Sequence, residues 1–472
     1  MKRWFVGILC LFKTVILHAE VFSMEEYLKQ VKQDNFQYQG SELNQKSIVD
    51  KRAESDLMSA FTIIGDYHNT WDKKLPNTPS MKYDRLDTQS YSVGLKKDWN
   101  FGLESAFSYD INSTNYLNPN SDDLGREAYA TPVIKLSQSM WKNAWGRLIQ
   151  SNIEASKSVI EAEKYNTKFM LDSIEQNAIE AYWMLVVKRE IVKIQELAVN
   201  QAQSIYEYVN QRTKMNLGEY ADLLLAKTSL ESKKFDLQSA KNNELFQLRI
   251  FNKYRNRPPY DPSGELSPIS WDFISNFNVP ENRKHRADVV AAKYEVLSSK
   301  ANYRAKEENN KPSLNAYASY ALNGRDESFG SSLSDSYTAH RPTITVGATF
   351  SMPLEMTLSY QARHAAQMQA LAADLIYKQK VEEQEADWQD LKEKIVASQK
   401  QINLSLAIEE AQKAKFEYEQ KRLKEGRTST YQVLEYEKQY TEAKLSRIQI
   451  ASEMISLLSK VRLYSSTLEI GE

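Results

Sequence analysis

The sequence contains very little cysteine and histidine. Of its 472 residues one is a cysteine, Cys10, and five are histidines, none of them four residues from another. A single cysteine excludes a disulfide framework and a metal site with several thiolate ligands. The sequence also has no nucleophile–base spacing, no phosphate-binding loop and no paired-carboxylate motif. We therefore expect no catalytic residue, no metal and no cofactor.

The sequence also lacks an excess of charge of either sign. It has 61 Lys and Arg against 62 Asp and Glu, a formal net charge of −1. Without a basic surplus there is no electrostatic reason to expect nucleic acid as a partner. Beyond the N-terminus, no stretch reaches the ~18 apolar residues of a membrane-spanning helix. If the protein crosses a membrane, we expect it to do so with strands.

Two long blocks of the sequence are almost free of proline and glycine. No proline lies between Trp141 and Arg257, and from residue 147 onward this block has one glycine, Gly218. No proline follows Pro353, and up to residue 470 the only glycine is Gly426. Since both residue types interrupt helices, each block is predicted to form two long helices that meet at one turn. A helix of about 70 residues would span roughly 105 Å.

The N-terminus has the pattern of a secretory signal. Met1–Arg3 is basic, Trp4–Leu17 is mostly apolar, and a cleavage site follows at Ala19. We predict residues 1–19 to be a signal peptide, too short and too interrupted for a membrane span; a buried N-terminal helix is the alternative. Lipidation of Cys10 stays open.

The rest of the chain divides into two similar halves joined by a proline-rich linker. We predict a first repeat over 20–253, a linker over 254–285 and a second repeat over 286–472. The expected elements of the first repeat are a helix over 24–60, strands within about 61–139, a long helix over 145–215 and a helix over 219–253; those of the second are a helix over 286–310, strands within about 313–352, a long helix over 358–424 and a helix over 428–464.

The two turns between helices support a duplication. The segment Gln211–Leu224 is similar to Gln420–Leu434, and an offset of 210 aligns the end of one with the end of the other. The two glycines are 208 apart, so this alignment predicts that the register differs by two within the turn. A tandem repeat is the simplest explanation.

The strand segments alternate between apolar and small polar residues. In the last of them, Ile344, Val346 and Phe350 alternate with Thr343 and Thr345. Outer-membrane barrel strands need this pattern, and half-buried strands of soluble sandwiches also show it. The signal peptide and the lack of a membrane helix favour the membrane. Six candidate strands are too few to close a pore, so other subunits must complete it.

Several segments, in this order along the chain, are typical of one known family. They are Leu136–Trp141 before a long helix, Ala181–Trp183 on that helix, Arg286–Asp288 opening the second half, and the two turns. By these segments the chain after the signal resembles the TolC-like outer-membrane efflux (channel-tunnel) family. The resemblance implies a mainly α fold with membrane β: a tandem-repeat protomer of long antiparallel helices plus strands. Such protomers trimerise into an outer-membrane β-barrel continuous with a periplasmic α-helical barrel.

The resemblance also implies a function. Members are passive export ducts of tripartite efflux or type I secretion systems, located in the cell outer membrane with a periplasmic helical domain. Their partners are two further copies of the chain, a periplasmic adaptor (membrane fusion) protein, an inner-membrane pump of the RND or ABC type, and outer-membrane lipid. The alternative is a periplasmic or secreted coiled-coil structural or interaction protein whose strands form a small sheet. The exported substrate and the pump cannot be told from the sequence.

By the same resemblance, certain residues should lie at the periplasmic tip. The acids that ring the closed aperture fall at Gln432 and Glu435, where Glu435 keeps the charge and Gln432 does not. An acid at the tip of the first repeat falls at Asp222. Ordinary solvated acids at helix starts are the alternative. The tyrosine and arginine that lock some members shut fall at Leu423 and Thr428, with Arg427 one residue away.

Three further features follow from the comparison with the family. The glycine of the adaptor-facing groove matches Gly426, its first-repeat equivalent is Asn216, and Gly218 lies in the same turn. Trp141 and Trp145 suit a membrane-interface belt, with ordinary packing as the alternative. Family members commonly have two strands per half, whereas this first half has an extra hairpin over 90–111. That hairpin either enlarges the joint barrel or lies outside it.

Overall fold

The computed structural model describes residues 21–74, 83–119, 125–280, 283–338 and 340–464. The predicted signal peptide and Cys10 lie outside these residues. The described chain is mainly helical with one antiparallel sheet, which confirms the predicted protomer of long helices plus strands, while its trimerisation stays a prediction. The helices are α1 Met24–Asp34, α2 Phe36–Leu57, α3 Arg147–Lys214, α4 Tyr220–Tyr254, α5 Trp271–Ser275, α6 Ala287–Asn309, α7 Phe329–Ser336, α8 Met356–Lys424 and α9 Thr430–Val461; the strands are β1 Phe61–Asp72, β2 Arg85–Asp98, β3 Leu103–Leu117, β4 Arg126–Ser139, β5 Ser313–Leu322, β6 Gly324–Asp326 and β7 Pro342–Ser351.

The first helical segment differs from the sequence prediction. Its start is a capping box, in which Ser23 Oγ accepts from the Glu26 amide and Glu26 Oε2 accepts from the Ser23 amide. The single predicted helix is broken at Asn35, which has extended backbone angles. The Asn35 Oδ1 accepts a hydrogen bond from the Tyr38 amide at 2.9 Å, and its Nδ2 donates to the Tyr254 carbonyl at 3.0 Å. Asn35 thus ends one helix and caps the next.

The chain forms two compact units, and each draws on both predicted repeats. The first unit comprises residues up to Leu43, 167–286 and 383 onward, and the second comprises 44–166 and 287–382. Because these units cut across the repeats, the division of the chain into two repeats and a linker remains a prediction.

The first unit is built on an aromatic core. The Tyr27 ring stacks on Phe251 with centroids 4.3 Å apart, and Tyr182 packs beside both. The Tyr27 hydroxyl donates to the Phe251 carbonyl at 3.1 Å, and Tyr182 donates to the Phe22 carbonyl at 2.7 Å. Burial raises the pKa of Tyr27 well above its usual value. Tyr182 and Trp183 of the family-like segment are therefore part of this core.

The second unit contains the sheet. Its strand order is β1-β2-β3-β4-β5-β7, all antiparallel, with the short β6 paired to β4. The extra hairpin, β2 and β3, is thus an integral part of this sheet. Sequence analysis did not anticipate β6 and α7, since the Ser- and Gly-containing segment around Gly330 resembles a loop.

Candidate functional site

One face of the sheet is apolar across all six long strands. The register aligns apolar residues of neighbouring strands, and one row is apolar throughout: Ile63–Leu95–Phe107–Ile134–Tyr320–Ile344. Most of the large side chains of this face are exposed: the exposed fraction is 77% for Ile63, 64% for Val93 and 78% for Val346. The part nearest α7 is covered, because Ala130 is buried there and the Tyr109 hydroxyl is hydrogen-bonded to Ser336. We refer to it as the apolar face.

The opposite face of the sheet is polar. On β7 it carries Thr343 and Thr345. On β2 and β3, Ser92 and Asp110 face each other at paired positions and are hydrogen-bonded. Lys135 of β4 lies on the same face. We refer to it as the polar face.

This division between faces is what a membrane-spanning sheet requires. An exposed apolar surface of this extent needs lipid or another protein to cover it. The long strands have 10–15 residues, enough for the 9–11 residues of a tilted strand that crosses a bilayer. Lipid outside and water inside would suit the apolar and polar faces respectively.

The junction between β4 and α3 is a tight turn with left-handed backbone. Asn143, Trp145 and Gly146 have φ of 59°, 55° and 77°. The Asn143 Oδ1 accepts from the amides of Leu148 and Ile149 at 3.0 and 3.2 Å, which satisfies free donors at the start of the long helix. The turn leaves the predicted interface residues Trp141 and Trp145 exposed, by 48% and 69%.

In the first unit, the two helix turns have the same backbone geometry. Asn216 and Gly426 are both left-handed, with φ of 61° and 72°, and Gly218 is not. The Leu217 amide donates to the Arg212 carbonyl at 2.9 Å; 210 residues later the Arg427 amide donates to the Arg422 carbonyl at 2.9 Å. This is the bond that closes a helix at a left-handed residue. The offset of 210 therefore holds through the turn, and the predicted shift of two residues is wrong.

Side chains repeat at the same offset. Arg212 Nη2 donates to the Leu217 carbonyl, and Arg422 Nη2 donates to the Arg427 carbonyl, both at 3.0 Å. Each guanidinium also lies 5.9 Å from a tyrosine ring, Tyr208 in the first turn and Tyr418 in the second. Sequence analysis did not single out these residues, although the matching letters 210 apart are a signal that could have found them.

The predicted aperture residues lie around the starts of α4 and α9. Asp222 and Gln432 are in the first turns, whereas Glu435 is in the second turn of α9 and Arg427 precedes that helix. Asp222 is half-buried. Gln432 Nε2 donates to the Tyr436 hydroxyl at 2.9 Å, and Glu435 Oε1 accepts from Gln439 Nε2 at 2.9 Å. Arg427 is exposed and lies 3.3 Å from Glu425.

The two positions that match the family's lock hold residues of another kind. Leu423 is buried in an apolar cluster with Val433 and Phe416. Its carbonyl accepts from the Tyr208 hydroxyl at 2.8 Å, while Thr428 donates to Gln432 at 3.4 Å. Apolar packing and neutral hydrogen bonds therefore take the place of a tyrosine–arginine pair at these positions.

A buried ion pair lies further along α4 and α9, beyond the first turns. Lys233 Nζ lies 3.1 Å from Glu437 Oε2, with side-chain exposures of 11% and 0%. Thr441 Oγ1 donates to the other carboxylate oxygen at 2.8 Å. Sequence analysis missed this pair because charged residues on an unbroken helix are ordinarily interpreted as solvated.

The described ranges contain neither a candidate metal site nor a helix that could span a membrane. No group of three or more His, Cys, Asp or Glu is placed to hold a metal ion. Every helix in this part of the chain is too short or too polar to span a lipid bilayer.

Comparison with known proteins gives matches in structure and none in sequence. No protein-family model and no curated protein matches the chain. Among solved structures, the outer-membrane channel OprN is 16% identical with a TM-score of 0.66, covering 93% of this chain and 89% of its own. The outer membrane protein VceC from Vibrio cholerae is 12% identical with a TM-score of 0.66, covering 93% and 95%. The CmeC outer membrane channel of Campylobacter jejuni is 15% identical with a TM-score of 0.62, covering 93% and 84%.

These similarities define the fold. The chain has the fold of outer-membrane channels, with long helices and an antiparallel sheet in one protomer. More particularly it is a TolC-like channel-tunnel fold, so the resemblance stated from the sequence is confirmed at the level of the fold.

Proposed function

We propose that this protein is the outer-membrane channel of an export system, a passive duct made of three copies of the chain. The apolar face, which is continuous over six strands and exposed, carries the proposal. The polar face would line the aqueous path. The fold shared with OprN and VceC supports this assignment. Three measurements test the proposal. The protein should sediment with the outer membrane in cell fractionation, require detergent for extraction, and conduct ions when the purified protein is placed in a planar bilayer.

We further propose that the duct is closed at the turns that join its long helices. In a trimer, three Glu435 side chains would line the narrowest part, together with Gln432 on the same helix and Asp222 at the start of α4. Like charges held close together bind cations and favour cation passage. Glu435→Gln should therefore weaken block of the current by divalent cations added at the helical end. Glu417→Gln, at an exposed position on α8, is the matched control and should leave the block unchanged.

The partners follow from the same proposal. A periplasmic adaptor protein would dock on the turns around Asn216, Gly218 and Gly426, and an inner-membrane pump of the RND or ABC type would supply the energy. Cysteines placed at 218 and 426 should crosslink to the adaptor in cells. Recovery of soluble proteins alone, together with a chain that dissolves without detergent, would favour the structural coiled-coil alternative.

A further inference from the structure

We infer that each copy contributes six strands to the channel wall, so that three copies close a barrel of eighteen strands. In this arrangement β1 of one copy pairs with β7 of the next. The inference rests on the proposed function for the number of copies. The contacts of the second unit support the six strands and the pairing of their edges.

The additional hairpin is paired along its whole length. β1 and β2 share 12 paired positions, β2 and β3 share 14, and β3 and β4 share 13. The two hairpin strands also approach closely: a Cβ on Gly94 would lie 2.5 Å from the Phe107 carbonyl oxygen. A hairpin that lay outside the wall would leave β1 and β4 free to pair directly, whereas here β2 and β3 fill the space between them.

The hairpin turn is anchored to the junction between strand and helix. The Gly102 carbonyl accepts from the Ser139 amide at 3.1 Å, and the Asn100 carbonyl accepts from Gln150 Nε2 at 3.0 Å. Gly146 packs so tightly here that a Cβ would lie 1.7 Å from the Asn100 oxygen. The hairpin is therefore bonded to the end of β4 and the start of α3, at the level where the other strands join their helices.

The two edge strands are suited to pair with each other. The sheet path has six strands that alternate in direction, so β1 and β7 run antiparallel and a neighbouring copy continues the same pattern. The apolar face continues to both edges, with Ile63 and Tyr67 on β1 and Ile344 and Val346 on β7. Strand edges without a neighbour are sites of association, because their backbone N–H and C=O groups can pair with another chain. Neighbouring copies of the same chain would supply these partners at β1 and at β7.

The number of strands sets the width of the wall. With strands about 4.8 Å apart and tilted by about 40°, eighteen strands give a backbone diameter of roughly 36 Å and twelve give roughly 24 Å. The hairpin thus widens the wall about 1.5-fold relative to a trimer with four strands per copy.

Paired cysteines in the full-length protein test the arrangement in outer membranes, with Cys10 replaced by serine. Asp66→Cys with Ser92→Cys should crosslink within one chain, because these residues are paired across β1 and β2. Asp66→Cys combined in turn with Thr343→Cys, Thr345→Cys or Thr349→Cys should give covalent dimers and trimers for at least one pair. Asp66→Cys with Thr131→Cys of β4 is the control, expected to give no product.

The opposite results overturn the inference. A strong crosslink between positions 66 and 131, with none between 66 and 92, means that the hairpin lies outside the wall. Imaging of the protein in lipid nanodiscs gives a second measurement, for which a diameter near 24 Å instead of 36 Å contradicts eighteen strands. A chain that is trimeric in the outer membrane with a narrow wall refutes only this inference. A chain that is absent from the outer membrane refutes the proposed function.

Discussion

The two faces of β7 offer a sharp test of the membrane assignment. Val346 and Thr345 are neighbours on this strand, and both side chains are exposed. They differ in the face on which they lie, because successive residues of a strand point to opposite sides. Lysine at position 346 would place a charge on the apolar face, and lysine at position 345 would place the same charge on the polar face.

The expected difference between the two variants is large. A lysine that faces lipid near the middle of a bilayer destabilises a membrane barrel by about 2–4 kcal/mol, whereas one facing the lumen costs almost nothing. Val346 lies within the apolar series from Ile344 to Phe350 and not at its end, so a cost in this range is expected. At about 1.4 kcal/mol per factor of ten, Val346→Lys should lower the folding equilibrium constant roughly 30- to 700-fold.

The assay is urea unfolding of the protein refolded into lipid vesicles, together with the yield of heat-resistant oligomer in outer membranes. Val346→Lys should shift the unfolding midpoint downward and reduce the yield, and Thr345→Lys should leave both near the parent values. Equal effects of the two substitutions would refute the reasoning, because a sheet exposed to water on both faces would tolerate lysine at either position.

Three further predictions concern the helices of the first unit and are measured as the thermal midpoint of the detergent-purified protein. Gly426→Ala should destabilise by about 1 kcal/mol because φ is positive there, whereas Asn216→Gly should be neutral or stabilising; equal losses would contradict the shared geometry. Lys233→Met should cost about 3 kcal/mol because it leaves the buried Glu437 carboxylate without its cation, and adding Glu437→Gln should recover part of the loss. Burial raises the pKa of the Asp172 carboxyl, so the folded protein binds this proton more tightly than the unfolded chain, and stability falls as the pH rises past the unfolded pKa. Asp172→Asn should therefore raise the thermal midpoint at pH 7 and lose this advantage in acid. An unchanged midpoint at both pH values would contradict the prediction.

The long helices and most strands could be predicted because their signals are local and repeated. The absence of proline and glycine over whole blocks indicates helix, and period-two alternation around Val346 indicates a strand with two unlike faces. The strand alternation did not decide between lipid and a soluble core. The apolar row across six strands favours lipid, and that row depends on long-range register that no single segment contains.

Other features depend on contacts that the sequence does not display. Asn35 is tolerated inside many helices, and its role as a cap is visible only from its bonds to Tyr38 and Tyr254. Gly218 is the obvious choice for a left-handed turn residue, yet Asn216 takes that position because the helix ends there with the Leu217–Arg212 bond. Asparagine adopts this conformation more readily than other residues with a side chain.

The matching geometry of the two turns has a genetic consequence. A point mutation changes only one of the two arginines, Arg212 or Arg422. The other arginine, 210 residues away, still makes its hydrogen bond to the turn and its contact with a tyrosine ring. Loss of Arg212 alone should therefore be partly tolerated by a cell that depends on the protein, as should loss of Arg422 alone. Combining the two substitutions should give a defect greater than the sum of the single ones, so redundancy between the two turns would hide each residue from a screen of single mutants.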